Sequence, residues 1–331
     1  MQRVYITRMI SLDALEEIKK ACHVSVNSKD APVKRHELIK NMKDKDGVLC
    51  MLTDRIDKEV LDAAPDLKVI STMSVGFEHI DVDEATKRGI YVCNTPDVLT
   101  EATADLAFSL LLATARHIPQ ADSFVRAGAW KEPWSPSLFL GMPVWGATIG
   151  IIGLGRIGKA VAKRAAGFNM KILYNNRRRL SREEEKALGV RYASLKNLLK
   201  RSDFVTIHTP LTKDTYHIID ENALRLMKPH AILINTSRGN TIDEEALIKA
   251  LKEKWIAGTG LDVFSKEPIE KDHPILSLEN VVALPHIGSA TGKTREMMAD
   301  MAAKNLLMAL KSKKPFHLVN PEAERYKRAW L

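Results

Sequence analysis

Residues 149–158 read IGIIGLGRIG, and this stretch decides the class of fold. A short apolar run ends at a glycine, and two further glycines complete the pattern G-x-G-x-x-G before an amphipathic segment. The first glycine permits a tight turn, the second lets the backbone approach a pyrophosphate, and the third lets the following helix pack on the strand. The helix N-terminus offers N–H groups and a partial positive charge to the phosphates. We therefore expect dinucleotide contacts from the whole motif, which is Gly153, Leu154, Gly155, Arg156, Ile157 and Gly158.

Strand-like and helix-like segments alternate on both sides of this motif. Apolar strands are predicted at residues 3–7, 47–52, 67–70, 90–93, 148–152, 171–174, 204–207, 231–235, 257–262 and 281–284. Leu12, Leu15 and Ile18 mark one face of the first helix, and a long helix over 100–117 ends before Pro119. This alternation predicts an α/β fold of two Rossmann-like or flavodoxin-like parallel-sheet domains with a cleft between them.

The position of the motif near mid-chain sets the domain organisation. Six of the predicted strands follow one another from residue 148, which suits a complete dinucleotide-binding unit. A last helix over 291–311 follows the sixth strand and returns to the first domain. We expect a dinucleotide-binding domain over 101–290 and a discontinuous substrate-binding, or catalytic, domain made of 1–100 and 291–331.

Composition and charge exclude several classes of protein. The formal net charge is +9, but the 50 basic residues are spread among 41 acidic ones, so we expect a basic surface that attracts small anions and no nucleic-acid partner. The longest apolar stretch, 106–115, is too short to span a bilayer, so no membrane partner is expected. Cys22, Cys50 and Cys93 form no C-x-x-C pair, and no signal peptide is visible. These features indicate a cytoplasmic protein with no disulfide framework and no metal site.

The end of the second strand of the cofactor domain indicates the choice of cofactor. An NAD-binding unit usually carries an acidic residue there, which holds the ribose 2′-hydroxyl. Here KILY runs into NNRRR, residues 175–179, with no Asp or Glu, and Asn176, Arg177 and Arg178 are the expected cofactor contacts. Arginines bind a 2′-phosphate through charge-assisted contacts, whereas a carboxylate would repel it. We expect NADP(H) as the preferred cofactor and NAD(H) as a possible one, with a plain basic surface turn as the alternative.

Polar residues also stand at the ends of three later strands, where open α/β sheets place their ligand crevice. They are Arg238 in INTSRG, Asp262 and Glu267 in LDVFSKEP, and His286 in LPHIGSAT. A carboxylate beside a histidine raises its pKa and orients its ring, and an arginine can bind a carboxylate substrate with two hydrogen bonds. Taken singly, each residue is more often a surface or turn residue than a catalytic one.

Taken together, these motifs resemble the D-isomer-specific 2-hydroxyacid dehydrogenases over essentially the whole chain. The order and spacing of GLGRIG, INTSRG, LDVFSKEP and LPHIGSAT carry the resemblance. Within that family, residues 47–61, 69–76 and 94–115 are most similar to glyoxylate/hydroxypyruvate reductases. The resemblance implies reduction of glyoxylate or hydroxypyruvate to glycolate or D-glycerate by hydride transfer from a nicotinamide cofactor.

The resemblance also implies roles for individual residues. His286 would donate the proton to the forming alkoxide, Glu267 would pair with His286, and Arg238 would bind the substrate carboxylate and polarise the oxo group. The remaining substrate-binding residues would be Leu52, Ser74, Val75, Gly76, Leu99 and Trp134. Further cofactor contacts are expected from Thr103, His208, Thr209, Pro210, Thr236, Ser237, Asp262 and Gly288. A homodimer is also expected, with Trp134 reaching the active site of the neighbouring subunit.

Two other functions stay open on these motifs. One is oxidation of another D-2-hydroxyacid, of phosphoglycerate, formate or phosphite on the same fold. The other is a nucleotide-sensing protein similar to the C-terminal-binding-protein corepressors, which share the fold and the three polar residues. Turnover of a 2-oxo acid would separate an enzyme from such a sensor.

Overall fold

The computed structural model describes residues 1–326 and divides the chain into two compact units. Unit 1 consists of Met1–Leu99 together with Ala290–Leu331, and unit 2 consists of Thr100–Ser289. The end of the predicted substrate-binding domain, 327–331, lies outside the described residues. Each unit contains an open sheet of parallel strands, which confirms the predicted class of two parallel-sheet α/β domains.

Unit 1 is built on a five-stranded sheet. Its strands are β1 (Gln2–Ile6), β2 (Cys22–Val26), β3 (Gly47–Cys50), β4 (Val69–Thr72) and β5 (Tyr91–Cys93). Its helices are α1 (Leu12–Ala21), α2 (Arg35–Met42), α3 (Lys58–Asp62), α4 (Val82–Lys87) and the late helix α12 (Gly292–Leu310). The strand order is β2-β1-β3-β4-β5. Helix α12 packs on β3 and β4, and its fully buried face includes Ala299, Ala302 and Leu306.

Unit 2 is built on a seven-stranded sheet. Its strands are β6 (Thr148–Ile152), β7 (Lys171–Asn175), β8 (Val190–Tyr192), β9 (Phe204–Ile207), β10 (Ile232–Asn235), β11 (Gly258–Leu261) and β12 (Val281–Ala283). Its helices are α5 (Thr100–Ala115), α6 (Ile118–Arg126), α7 (Arg156–Gly167), α8 (Arg182–Leu188), α9 (Leu195–Arg201), α10 (Glu221–Leu226) and α11 (Glu244–Lys252).

The strand order of unit 2 reverses beside β6. The order is β12-β11-β10-β9-β6-β7-β8, so the chain runs outward from β6 to β8 and then returns to β9 on the other side. A reversal of this kind leaves a crevice at the carboxyl ends of the two strands that flank it. The glycine motif follows β6 directly and therefore lies at this switch point.

Helix starts in unit 2 differ in a way that bears on ligand binding. Ser181, Ser194, Asp220 and Asp243 each accept a hydrogen bond from a backbone N–H of the helix that they cap. Helix α7 instead begins after Gly155, which has no side chain to cap it. At this helix start, therefore, no capping side chain competes with an anionic ligand for the first backbone N–H groups.

Two short edge strands and one exposed leucine differ from the sequence-based expectations. The apolar pattern does not predict β2 and β8, because only part of each strand is buried and no continuous apolar run marks it. The predicted count of six strands in the cofactor unit is therefore one too low. Leu12 is 71% exposed and does not share the buried face of Leu15 and Ile18, because it is the first residue of α1 and that face begins at Ala14.

Helix ends also differ in one place. Pro119 does not simply terminate the long helix, because it occupies the first turn of α6, where a proline costs no hydrogen bond. His117, in the left-handed conformation, separates α5 from α6. Across residues 1–326, no helix combines the length and the apolar character that crossing a membrane requires.

Candidate active site

Each glycine of the motif is required, or fits, for a different structural reason. Gly153 has a φ of +92°, and a Cβ there would lie 2.8 Å from the carbonyl carbon of His208. A Cβ on Gly158 would lie 2.3 Å from the carbonyl oxygen of Gly153, so α7 packs directly on the turn. A Cβ built on Gly155 meets no atom within 4 Å, so this position has open space in front of it. The turn is therefore shaped for a ligand that approaches its backbone.

The basic turn after β7 is tied to the glycine turn. Asn176 Oδ1 accepts a hydrogen bond of 2.6 Å from the backbone N–H of the buried Leu154. Arg177 and Arg178 are exposed and make no ion pair among the residues that the structure describes. Arg179, in contrast, donates two hydrogen bonds to Glu185, at 2.7 and 2.8 Å. The turn thus presents two unpaired guanidinium groups beside the glycine motif.

Within residues 1–326, three buried side-chain oxygens at neighbouring strand ends have no hydrogen-bond partner, which supports the fit of a polar cofactor. They are Thr209 Oγ1, Thr236 Oγ1 and Asp262 Oδ2, and they follow β9, β10 and β11 in the order of the sheet. A buried polar atom without a hydrogen bond is destabilising, and a bound ligand with hydroxyl and amide groups would supply the missing partners. The residues at these ends therefore fit a nicotinamide dinucleotide that runs along the carboxyl edge of the sheet.

Thr103, Asp262 and Gly288 lie together at one end of this edge. A Cβ on Gly288 would lie 3.3 Å from Asp262 Oδ2 and 3.4 Å from Thr103 Cγ2, so only glycine fits without displacement. The Ile287 N–H donates to Asp262 Oδ1 at 2.8 Å. Burial raises the pKa of Asp262, and this backbone hydrogen bond opposes the shift. The structure therefore brings three of the predicted cofactor residues into one cluster.

His208 and Pro210 follow β9 beside the glycine turn. Burial lowers the pKa of His208 to about 4, so its imidazole is neutral at physiological pH. Its Nε2 lies 2.8 Å from Thr206 Oγ1. The carbonyl oxygen of Pro210 accepts a hydrogen bond of 2.6 Å from Thr215 Oγ1, which fixes the start of the next loop.

Arg238 is held by a turn that Asn235 organises. Asn235 ends β10 and is fully buried, and its Nδ2 donates to the carbonyl oxygen of Arg238 at 2.9 Å. Its Oδ1 accepts from both the backbone N–H and the hydroxyl of Ser237, at 3.0 and 2.9 Å. The sequence interpretation includes Ser237 and Arg238 but not Asn235. An asparagine directly before a turn is the signal that could have identified it.

The loop that carries Glu267 packs on the turn that carries Arg238. A Cβ on Gly239 would lie 1.9 Å from the carbonyl carbon of Phe264, so the two backbones are in direct contact. Glu244, at the start of α11, accepts from the Ser265 hydroxyl at 2.6 Å and from its N–H at 3.2 Å. Two separate strand ends are thereby fixed against each other.

Glu267 and His286 form a direct pair. His286 Nδ1 lies 2.7 Å from Glu267 Oε2, and the Phe264 N–H donates to Glu267 Oε1 at 3.1 Å. Burial alone would raise the pKa of Glu267, but the hydrogen bond and charge of His286, with a further effect of the Arg238 charge, lower it below its usual value. With Nδ1 engaged, Nε2 of His286 is the ring nitrogen that can exchange a proton with a substrate.

The backbone of His286 is itself unusual. Its φ is +55°, a left-handed conformation that non-glycine residues adopt rarely and at a cost of about 1–3 kcal/mol. Residues held in such conformations cluster at functional sites. Other described residues, such as His117 and Lys254, share this conformation, so the case for His286 rests on its contact with Glu267.

The remaining predicted substrate residues lie in unit 1 and in an exposed loop of unit 2. Leu52 is partly exposed in the turn after β3, and Leu99, at 8% exposure, is buried as a core residue would be. Trp134 is 83% exposed in an irregular loop of unit 2. Within residues 1–326, no group of three or more His, Cys, Asp or Glu side chains is arranged to hold a metal ion.

Ser74, Val75 and Gly76 form the turn after β4, the neighbour of β3 in the sheet. Asp54, which the sequence interpretation missed, supports the turn after β3: its Oδ2 accepts from Thr7 Oγ1 at 2.5 Å and from the Met51 N–H at 2.8 Å. Both turns stand at the carboxyl edge of the unit 1 sheet.

The glycine turn at the switch point of unit 2, together with the pair of His286 and Glu267, defines an α/β oxidoreductase that binds a nicotinamide dinucleotide. The D-isomer specific 2-hydroxyacid dehydrogenase NAD binding domain matches residues 108–288. The glyoxylate reductase of Thermofilum pendens is 53% identical over 321 residues, which cover 97% of this chain and 95% of that protein. The chain therefore belongs to the D-isomer specific 2-hydroxyacid dehydrogenase family, which confirms the resemblance seen in the sequence.

Solved structures agree with this assignment. A protein from Thermus thermophilus superposes with a TM-score of 0.90 at 43% identity, over 96% of this chain and 99% of that chain. The NADPH-dependent glyoxylate/hydroxypyruvate reductase of Sinorhizobium meliloti, solved with NADP and malonate, has a TM-score of 0.84 at 34% identity. That comparison covers 99% of both chains.

Proposed function

We propose that this protein reduces glyoxylate and hydroxypyruvate to glycolate and D-glycerate, with NADPH as the preferred cofactor. The observation that carries the proposal is the 2.7 Å contact of His286 Nδ1 with Glu267 Oε2. It provides a proton donor at the carboxyl edge of the sheet, where the orphaned polar atoms fit a nicotinamide cofactor. The glyoxylate reductase relatives support this substrate class.

Three side chains of unit 2 would each have a separate role in the reaction. When bound, the nicotinamide cofactor would supply the hydride. His286 Nε2 would give its proton to the alkoxide oxygen that forms on the substrate, and the Glu267 carboxylate would stabilise the imidazolium before the transfer. Arg238 would bind the substrate carboxylate and polarise the oxo group, so that its charge acts on the oxygen that becomes negative.

Arg177 and Arg178 support the preference for NADPH. Both guanidinium groups are exposed and unpaired among the described residues, whereas Arg179 in the same turn is already held by Glu185. The sequence from the glycine motif to Arg177 contains no Asp or Glu, so the end of β7 would offer a 2′-phosphate two cations and no carboxylate of its own. The proposal keeps NAD(H) as a weaker cofactor.

A panel of 2-oxo acids assayed with NADPH and with NADH tests this function. We expect the highest kcat/KM for glyoxylate or hydroxypyruvate with NADPH, and D-glycerate as the single enantiomer formed from hydroxypyruvate. Faster oxidation of a phosphorylated hydroxy acid, formate or phosphite would place the protein elsewhere in its family. No turnover of any 2-oxo acid, together with tight NAD(H) binding, would favour the sensor.

We also propose a cytoplasmic homodimer, in which unit 1 binds the substrate and unit 2 the cofactor. Trp130, Trp134, Leu140 and Trp145 are exposed in one segment of unit 2, and a second copy would cover this apolar surface. The three cysteines are free and buried, which suits a reducing compartment. Sedimentation of the wild type and of Trp134→Ala, with kcat/KM for each, tests both the dimer and the reach of Trp134 into a neighbouring active site.

A further inference from the structure

Three consecutive carbonyl oxygens in the turn after β4 each accept a hydrogen bond. The oxygen of Ser74 accepts from the Thr95 N–H at 2.9 Å. The oxygen of Val75 accepts from Asn94 Nδ2 at 2.8 Å, and that of Gly76 accepts from the Ser74 hydroxyl at 2.6 Å. Each of these three successive peptide planes is thus held by a hydrogen bond to its carbonyl oxygen, two from residues 94 and 95 and one from within the turn.

The other side of the same three peptides carries the N–H groups of Val75, Gly76 and Phe77. In a planar trans peptide the N–H points away from the carbonyl, so a bond to the oxygen also aims the N–H. Within residues 1–326, none of these three N–H groups donates to a protein acceptor. Successive backbone N–H groups in a turn are the kind of donors that bind anions.

The Ser74 hydroxyl is itself held by a chain of polar groups. Thr72 Oγ1 lies 2.7 Å from Ser74 Oγ and 3.1 Å from His79 Nε2. Because Ser74 donates to the carbonyl oxygen of Gly76, it accepts from Thr72, which in turn accepts from His79. Thr72 and Ser74 are buried, so this chain is protected from competing water.

Asn94 is anchored from the opposite direction, by residues at the other end of the chain. Its carbonyl oxygen accepts from Asn305 Nδ2 in α12 at 3.1 Å, and its N–H donates to the carbonyl oxygen of His317 at 3.2 Å. These are backbone contacts of Asn94, so they survive removal of its side chain. The amide of Asn94 is therefore a rigidly placed donor whose visible partner is the Val75 carbonyl oxygen.

We propose that Asn94 and Ser74 are positioning residues that aim the N–H groups of Gly76 and Phe77 at the carboxylate of the substrate. The Val75 N–H lies beside them, in a peptide that the Thr95 N–H holds. The inference rests on the proposed function, and it adds the third donor, Phe77, and the two side chains that orient the Gly76 and Phe77 N–H groups. Neither side chain needs to touch the substrate. Their effect is to present the donors already oriented, so that binding a carboxylate does not have to reorder the turn.

Asn94→Ala is the main test, with KM, kcat and the dissociation constant of oxalate as readouts. We expect KM for glyoxylate and the oxalate dissociation constant to rise about 10- to 100-fold, the value of an oriented hydrogen bond to a charged group. The kcat value should change less than about twofold, because the lost interaction acts equally on substrate and transition state. NADPH binding should stay unchanged.

Two further variants and one control sharpen this test. Asn94→Asp keeps the size of the side chain but replaces the donor with an acceptor that repels the Val75 carbonyl oxygen. Its KM and its oxalate dissociation constant should therefore rise at least as much as those of Asn94→Ala. Ser74→Ala tests the same inference if the Asn94 variants do not fold, and we expect it to raise KM several-fold. Asn320 is the matched control, because it is a buried asparagine of unit 1 whose Nδ2 holds the carbonyl oxygen of Ile90 instead. Asn320→Ala should lower the melting temperature and leave KM and oxalate binding unchanged.

The outcomes separate this inference from the proposed function. Unchanged KM and oxalate binding in Asn94→Ala, or an equal rise in Asn320→Ala, would overturn the inference while the enzyme remains a glyoxylate reductase. If the wild type reduces no 2-oxo acid, loss of oxalate binding in Asn94→Ala alone would still support the inference. A wild type that binds no oxalate would overturn it.

Discussion

Two regions at the carboxyl edge of the same seven-stranded sheet are built in opposite ways. The turn after β7 presents Arg177 and Arg178 exposed and without ion pairs among the described residues. The ends of β10, β11 and β12 instead hold Arg238, Glu267 and His286 in a partly buried network of short contacts. Substitutions in the first region should cost little stability, whereas substitutions in the second break hydrogen bonds that hold the site together. Cofactor preference should therefore be far easier to alter than chemistry.

His286→Ala should show the largest effect in this comparison. Removal of a positioned general acid lowers kcat by about 100- to 10,000-fold, because no other group can protonate the alkoxide. Steady-state kinetics with NADPH measures the loss, and fluorescence titration should give an unchanged NADPH dissociation constant. His230→Ala is the control, since His230 is an exposed histidine of the same unit that pairs with Asp203. A His286→Ala enzyme with a quarter or more of the wild-type activity would contradict the assigned role.

Arg238→Lys should lose activity almost as strongly. One ammonium cannot reproduce the two parallel hydrogen bonds of a guanidinium, and loss of such stabilisation lowers kcat/KM by about 100- to 1,000-fold. Arg225→Lys is the control, because Arg225 pairs with Glu221 on the surface. Near-normal kcat/KM in Arg238→Lys would show that the charge alone suffices.

Gly239→Ala tests the backbone contact between the turn that carries Arg238 and the loop that carries Glu267. The new Cβ would lie 1.9 Å from the carbonyl carbon of Phe264, so the loops must separate. Overpacking of this kind destabilises by about 1–3 kcal/mol, and we expect a lower melting temperature together with reduced kcat. Gly167→Ala is the matched control, since a Cβ there meets nothing within 4 Å. Equal behaviour of the two variants would contradict a tight contact.

Arg177→Asp combined with Arg178→Ala should shift the cofactor preference from NADPH toward NADH without lowering kcat. The ratio of kcat/KM for NADPH to that for NADH should fall about 10- to 100-fold, because charge-assisted contacts to the phosphate are replaced by repulsion. The kcat with saturating NADH should stay near that of the wild type. Arg179→Ala, in the same turn but already paired with Glu185, should leave the ratio unchanged. A ratio unaffected by the double substitution would remove the basis of the NADPH proposal.

The smallest expected effect concerns acid stability. The folded-state pKa of Glu267 is lowered below the usual value of 4.5, so its ionised form stabilises the fold fully above that pH. This contribution is lost as the pH falls through the lowered pKa. Melting temperatures of the wild type and of Glu267→Gln should therefore converge as the pH falls from about 6 toward 3. Curves that stay parallel over this window would show that Glu267 contributes nothing through its charge.

Strong local signals made much of the fold predictable. Buried strands of a parallel sheet are continuous apolar runs, so ten of the twelve strands are visible in the sequence, and the glycine spacing locates the switch point. β2 and β8 are edge strands whose exposed positions interrupt any apolar run. Such strands form because a neighbour offers them hydrogen bonds, and no local pattern records that.

The candidate site likewise contains residues that the sequence predicts and residues whose role only the fold shows. Arg238, Glu267 and His286 stand in motifs with recognisable spacing, and the pairing of the last two emerges only from the fold. The residues that orient the site were harder to find. Asn94 and Asn235 act on backbone atoms of residues that long-range folding or a turn brings near them, so their function depends on geometry that a single sequence does not display.

The hydrogen bond from the Leu154 N–H to Asn176 Oδ1 has a consequence for the evolution of this enzyme. An aspartate at position 176 would keep that bond, because a carboxylate oxygen accepts as an amide oxygen does. It would also supply the acidic group whose absence distinguishes this strand end from an NAD-binding one. Asparagine and aspartate codons differ by one base. On the proposed NADPH preference, a first step toward NADH is therefore a single point mutation that leaves the support of the glycine turn by residue 176 in place.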